Sequence, residues 1–358
     1  MIQHFIHLLS HLSTTDRILF GLVVAITFFF ILSVVFAVLT LAVHIRRHRQ
    51  AGVERQLEAA WTKTLIGVLN RQNQIDDIYA LVSRRNTLQF LDFLARFARR
   101  VVGEERERIQ FISSSYIRRI LPGVRSRNPE KRALAVKIIS ELNPSDFKSY
   151  IAEALDDSSQ LVAMIAAHSL IYLRDLDSFN KVLDRLNRFS AWDRNFIASM
   201  LASVGAEVGQ PLREYYADDQ REPYLRSICA EALHRLNDLQ TADVAQDVIL
   251  KSDNRDLLCT SLRLLKTLGR PEHAPAIRKL LTTKDDIVLA HALGALGALG
   301  DLSDESRLSI GLDHPSPWVA SHAAEGLKAL GCQEYLRRVA DSGHPRSTLV
   351  RHVLAEAD

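Results

Sequence analysis

Three sets of residues in this 358-residue chain have types and spacing that could do chemistry. His4, His7 and His11 recur at helical spacing, a pattern that would gather imidazoles around a metal ion. No carboxylate or cysteine completes a ligand set, so they read instead as a short interfacial helix, its imidazoles among lipid headgroups while Phe5, Leu8, Leu9 and Leu12 dip inward. Gly294, Gly297 and Gly300 look like a phosphate cradle, yet they fall every third residue within a helical pattern and follow no strand; close helix packing accounts for them. Cys229, Cys259 and Cys332 have no partner at ligand spacing and read as reduced thiols of a cytosolic fold. G-x-S-x-G, H-E-x-x-H and paired C-x-x-C are all absent. The sequence therefore nominates no catalytic, metal or cofactor-binding residue, and the expectation is a protein that is not an enzyme.

What remains is binding, and the residues for it are set by a repeat. Seven helical stretches end at Leu142, Leu173, Val204, Leu236, Leu268, Leu299 and Leu330, separated by 31, 31, 32, 32, 31 and 31 residues. Three residues before each end stand Ile139, Leu170, Leu201, Leu233, Leu265, Leu296 and Leu327; seven before stand Ala135, Ala166, Ile197, Cys229, Ser261, Ala292 and Ala323. These columns share one helix face, so each stretch is an amphipathic helix whose small column lets its neighbours approach. A preceding helix ends on Leu155, Leu186, Ala217, Ile249, Leu281 or Leu312, and turn or cap residues such as those at 156–159, 251–254 and 313–317 separate the two. Trp318 begins the last of the seven stretches and is expected to pack.

A helix, a turn and a second helix repeated about every 31 residues make an α-solenoid. Segments such as ALDDSSQLVAMIAAHSL and GLDHPSPWVASHAAEGLKALG resemble the HEAT-repeat family, in its short-repeat class, over residues 107–340. The resemblance implies a right-handed stack whose second helices line the concave side. Candidate partner-binding residues are then those of the second helices that avoid the packing seam: His168, Tyr172, Glu231, Arg235, Arg263 and Lys266. Some HEAT-like enzymes hold iron through His–Glu dipeptides, and none occurs among the 13 histidines here. A lyase-like HEAT enzyme or cofactor binder is kept as an alternative.

Upstream, Ile18–Val43 is a run of 26 residues without a charge, longer as a helix than a hydrocarbon core of about 30 Å. A cleaved signal peptide is disfavoured by the missing basic n-region, the length of the run and the lack of a small-x-small cleavage site. Arg46, Arg47 and Arg49 follow the run at once, so the positive-inside rule predicts a single span with the N-terminus outside and the bulk cytoplasmic, in a bacterial inner membrane. The expected order is a leader (1–17), a transmembrane helix (18–43), a basic helical stalk and cap (44–106), about seven repeats (107–340) and a tail (341–358).

Composition agrees with an all-α chain: 47% apolar, 24% charged, and only 15 Gly and 10 Pro. The net charge of +3 hides a polarity, because residues 45–132 hold 19 Lys and Arg against 9 Asp and Glu, while 133–358 hold 25 against 32. The basic part suits apposition to anionic lipid. Nucleic-acid binding there is the rival, but Phe90, Phe93, Leu94 and Phe97 sit at core spacing rather than among the arginines. The expected function is a membrane-anchored scaffold for membrane-associated protein partners, such as an accessory subunit of envelope polysaccharide synthesis, with no small-molecule substrate.

Overall fold

The computed structural model describes residues 14–142 and 145–355; among these every regular element is helical. The helices are α1 (Thr14–Leu69), α2 (Ile75–Leu81), α3 (Thr87–Ala98), α4 (Glu104–Val124), α5 (Pro129–Leu142), α6 (Lys148–Glu153), α7 (Gln160–Tyr172), α8 (Leu176–Leu183), α9 (Arg194–Ala202) and α10 (Gly209–Ala217). They continue with α11 (Pro223–Arg235), α12 (Thr241–Lys251), α13 (Arg255–Leu268), α14 (Ala274–Leu280), α15 (Asp286–Leu299), α16 (Glu305–Leu312), α17 (Pro317–Ala329), α18 (Gln333–Asp341) and α19 (Ser347–Ala355). The chain divides into two compact units, Met1–Ile112 and Ser113–Asp358.

In the first unit, α1 is one continuous helix of 56 residues that carries the uncharged run and continues into the stalk. Every side chain from Ile26 to Leu41 is exposed, with Phe28, Phe29, Phe30 and Phe36 at 61–73%. Thr27 and Thr40 donate their hydroxyls to Val23 O and Phe36 O one turn back, each at 2.8 Å, so the run has few unmet polar groups. Among the described residues, no helix is long and apolar enough to cross a membrane. The expected span Ile18–Val43 is thus not established by the described part of α1, several of whose side chains near both ends of the run lie outside it. So do the side chains of Arg46, Arg47 and Arg49, whose backbone continues the helix, and so do His4, His7 and His11.

The far end of α1 is anchored by aromatic packing. Trp61, 2% exposed, meets Phe90 edge-on at 5.3 Å and Phe93 at 5.7 Å, which places the α3 phenylalanines in a core. Arg108 donates to Val68 O and Leu69 O, satisfying carbonyls that the end of α1 leaves open, and Arg71 then turns the chain at φ 61°.

In the second unit the helices alternate between a first row (α6, α8, α10, α12, α14, α16) and a second row (α5, α7, α9, α11, α13, α15, α17). All the residues three before the repeat ends, from Ile139 to Leu327, are fully buried, and those seven before are at most 2% exposed. Asp193, Asn254 and Asp285 cap second-row helices by accepting from the N–H of Phe196, Leu257 and Val288, and Pro223 and Pro317 begin α11 and α17. The first-row column slips at one place: Ala217 is exposed, and Tyr216 fills the core instead, its hydroxyl hydrogen-bonded to Ser261 at 2.6 Å. The stretch read as a tail contains α19, whose Val350 and Val353 are buried in the last core cluster.

Ion pairs fasten one repeat to the next. Arg132 grips Asp157 at 2.7 and 2.8 Å, Lys148 grips Asp175 at 2.7 Å, and Arg213 pairs with Asp238. Asp304, wholly buried, takes both Nε and Nη2 of Arg278, Nη1 of Arg307 and the backbone N–H of Asp301. Burial pushes its carboxyl up, but these donors outweigh burial and hold it below the usual carboxylate range. Its stabilising effect is therefore complete above about pH 4 and lost as pH falls through the depressed native value. Asp304→Ala leaves Arg278 with only Asp301 and should cost about 3 kcal/mol or more, read by thermal unfolding of the full chain at pH 7. The deficit should shrink on acidification, and one that does not change down to about pH 3 would refute this account.

The glycines of α15 divide by role. A Cβ on Gly297 would lie 2.2 Å from the Cα of Gly326 in α17, whereas one on Gly294 would meet only Lys266 Nζ at 3.8 Å and His322 Nδ1 at 4.0 Å. Gly297→Ala should force the two helices apart and lower stability by about 1–3 kcal/mol. Gly294→Ala should leave it unchanged or raise it by up to about 1 kcal/mol. Equal melting temperatures for the two variants would contradict the helix approach.

Candidate functional site

The second-row helices pack more extensively on one another than the first-row helices do, so their outer stripes form one surface. At about 100° per residue, positions twelve, eight, five and one before each repeat end fall within an arc of about 60°, away from the buried columns. On α7 that stripe is Leu161, Ile165, His168 and Tyr172; on and beside α9 it is Trp192, Phe196, Ser199 and Ser203; on α11 it is Tyr224, Glu231 and Arg235, with Ile228 in the same arc but buried. On α13, α15 and α17 it runs Asp256 and Arg263, with Thr260 between them buried; Ile287, His291, Gly294; and Trp318, His322, Glu325.

Three of the six predicted partner-binding residues meet. The Glu231 carboxylate, 12% exposed, accepts from Arg235 through one oxygen and from Arg263 of the next helix through the other, both at 3.1 Å. Arg235 also donates to Asn195 Oδ1 on α9 at 3.1 Å, so one polar chain crosses three helices. Lys266 lies beyond it, its Nζ 3.8 Å from where a Cβ on Gly294 of α15 would stand, and has no carboxylate partner among the described residues. His168 and Tyr172 are exposed on α7, which touches α9 only lightly, and are not gathered with the other four.

The predicted set omits the N-terminal half of the stripe. Trp318, expected to pack, is 54% exposed and stands edge-on to His322 at 4.6 Å. His322 in turn stacks on His291 at 5.9 Å, bonds Glu325 through Nδ1 at 3.2 Å, and keeps Nε2 buried with no partner. Burial, with the positive charges of His322, Arg263 and Lys266, holds His291 below the ordinary imidazole value. Leu161, Phe196 and Ile287 are also 43–50% exposed, Phe196 stacks on Trp192, and Arg194 lies over Tyr224 at 5.1 Å. The signal that marks these residues is periodic: large apolar residues stand twelve or eight before most repeat ends.

Elsewhere the chemistry is quiet. Burial pushes all three thiols up, Cys259 to about 11, which suppresses the thiolate. Among the described residues no group of three or more His, Cys, Asp or Glu could hold a metal ion. A cavity of about 520 Å³ on the α10–α12 side is rimmed by Asp219, Asp243, Asp247 and Asp253 with Arg226 and Lys251. Asp243 is already engaged by His273 and Arg270 there.

Residues 242–328, from α12 to α17, match the family profile for HEAT repeats. No curated protein sequence matches the chain. Solved structures similar to it include human deoxyhypusine hydroxylase in complex with glycerol, at 19% identity over 68% of this chain and 94% of that one, with a TM-score of 0.29. Another is Kap121p, at 14% identity over 76% of this chain and 37% of that one, with a TM-score of 0.41. A third is the complex of CpcE and CpcF of phycocyanin lyase from Nostoc sp. PCC7120, at 14% over 66% and 86%, with a TM-score of 0.30. At such scores these likenesses carry no argument about what the chain binds or does.

The Glu231 bridge is half in water on its arginine side. Glu231→Gln should lower stability by about 1 kcal/mol or less, and a double-mutant cycle with Arg263→Gln should return a coupling of the same size. A coupling several times larger in thermal unfolding would show instead that the pair is a buried clamp.

Proposed function

We propose that this protein is a membrane-anchored scaffold: Ile18–Val43 crosses the bilayer with the N-terminus outside, the repeats lie on the cytoplasmic side, and the outer stripes of the second-row helices hold a protein partner. The observation that carries the anchor is the row of phenylalanines on α1 left 61–73% exposed, a surface that water does not favour and lipid does. The 26-residue run and Arg46, Arg47, Arg49 and Arg55 after it support the span and its orientation. The partner surface is supported by the half-exposed aromatic and aliphatic residues at equivalent places in successive repeats, beside Arg235 and Arg263, since interface anchors are drawn from aromatic residues and arginine. It works by binding and positioning, and a membrane enzyme of envelope polysaccharide synthesis is a fitting client in a bacterial inner membrane.

Full-length protein should stay in the membrane fraction after alkaline carbonate, and deletion of residues 1–43 should release it. Protease added outside spheroplasts should leave the repeats intact, and digestion of the repeats there would reverse the orientation. Affinity purification in mild detergent should recover a membrane protein. The protein recovered alone at several detergent strengths counts against a scaffold.

A further inference from the structure

The first-row helices carry two neighbouring grooves. One, of about 400 Å³, lies between α8 and α10 and is lined by Asp184, Glu214 and Asp218 with Tyr215 and Arg221. The other is the cavity of about 520 Å³ on the α10–α12 side. The turn after α10 separates them, and its two carboxylates divide, Asp218 lining the first groove and Asp219 the second.

One sign of charge dominates both grooves. Arg221 cancels Asp218, which it holds at 3.0 Å, and lies over the Tyr215 ring at 4.7 Å. Arg270 and His273 take up Asp243. Asp184, Glu214, Asp219, Asp247 and Asp253 remain, all exposed and without an ion pair among the described residues. Glu214 and Asp219 accept only from the neutral side chains of Gln210 and Gln220. Against these carboxylates stand Lys251 and Arg226.

Arg226 gives a second and independent sign of a ligand. It is 7% exposed, lines the larger groove and donates Nε to Tyr216 O at 2.9 Å, but its Nη groups have no hydrogen-bond partner among the described residues. Arg132, at the equivalent place ten before its own repeat end, grips Asp157 of the next repeat; the residue equivalent to Asp157 after α12 is Lys251. A buried guanidinium with unused donors carries a desolvation cost that an acceptor on a ligand removes. The surrounding carboxylates oppose an anion there, which leaves a peptide carbonyl as the fitting acceptor.

We propose that the two grooves bind one extended basic segment of a membrane-protein partner. Packed helices stand about 8–10 Å apart and an extended chain advances about 3.3 Å per residue, so basic side chains three residues apart reach one groove each. The first pairs with Asp184 and Glu214, the second with Asp219, Asp247 and Asp253, and a carbonyl of the segment accepts from Arg226. Charge complementarity selects the segment, and short cytoplasmic loops of membrane proteins are rich in lysine and arginine. The identity of the partner rests on the scaffold reading.

The test uses the full chain in mild detergent and a short fluorescein-labelled peptide with two lysines three residues apart among neutral residues, followed by fluorescence anisotropy. The peptide should bind, and Glu214→Gln or Asp247→Asn should each weaken it by about two- to fivefold. Both residues are exposed, so these variants should melt like the parent. Glu334→Gln on α18, which removes the same charge outside the grooves, should bind like the parent. A peptide with its two lysines adjacent should bind several-fold more weakly; equal binding of the two peptides shows a general attraction to acidic repeats and overturns the proposal. So does indifference of the spaced peptide to both substitutions. Two differently tagged copies that co-purify only with Glu214 and Asp247 intact would assign the grooves to the basic stalk of a second copy, and this too overturns it. A membrane partner recovered from cells regardless of the double substitution removes this site and leaves the scaffold standing. If no partner is recovered from cells the scaffold itself falls, and with it the partner proposed here, even where the peptide binds.

Discussion

The second unit depends on one constraint: every second-row helix must bury the columns three and seven before its repeat end between its neighbours. Those fourteen positions are closed to water, from Ile139 and Ala135 to Leu327 and Ala323. Fully burying each large member stabilises the stack by roughly 1.5–3 kcal/mol, so the period cannot drift without exposing a whole face. A helix has one circumference, and once the seam and the first-row side are taken, the arc that remains is the same in each repeat. The candidate binding surface is thus a consequence of the core. Its finest detail follows too, because the contact of Gly297 with Gly326 draws α15 and α17 together, and His291 and His322, at equivalent positions of the two helices, stack.

The same constraint decides what the sequence could reveal. The seam was legible because burial selects residue type at fixed spacing, and a column of Leu or Ile four residues from a mostly small column is the mark of helices stacked face to face. Turn and cap residues were legible for the related reason that helix ends need side-chain acceptors, as at Asn254 and Asp285. Ala217 yields its expected place to Tyr216, one residue earlier, whose large ring and buried hydroxyl partner fill the core that a methyl group would leave open. Trp318 shows that size alone does not imply burial; its place in the first turn of α17 puts it off the seam.

Of the site, sequence spacing identified Glu231, Arg235, Arg263 and Lys266 as outward-facing, which follows from helical geometry alone. It could not tell that two arginines would share one carboxylate, because Arg263 comes from the next repeat and the angle between helices decides whether it reaches. His168 and Tyr172 stand apart because α7 touches α9 only lightly, and the one mark of this in the sequence is Ile197 on α9, the single large residue in the otherwise small column. Residues that act through a neighbour in another repeat are visible only once the stacking distance is known.

The charge polarity gives the surface its selectivity. Residues 133–358 hold 32 acidic against 25 basic side chains, so the unmatched charge at Lys266 is a local excess on an acidic body. At physiological ionic strength fields decay over about 8 Å, so a partner seated on the second-row helices feels mainly the charges it touches rather than the net charge of the repeats.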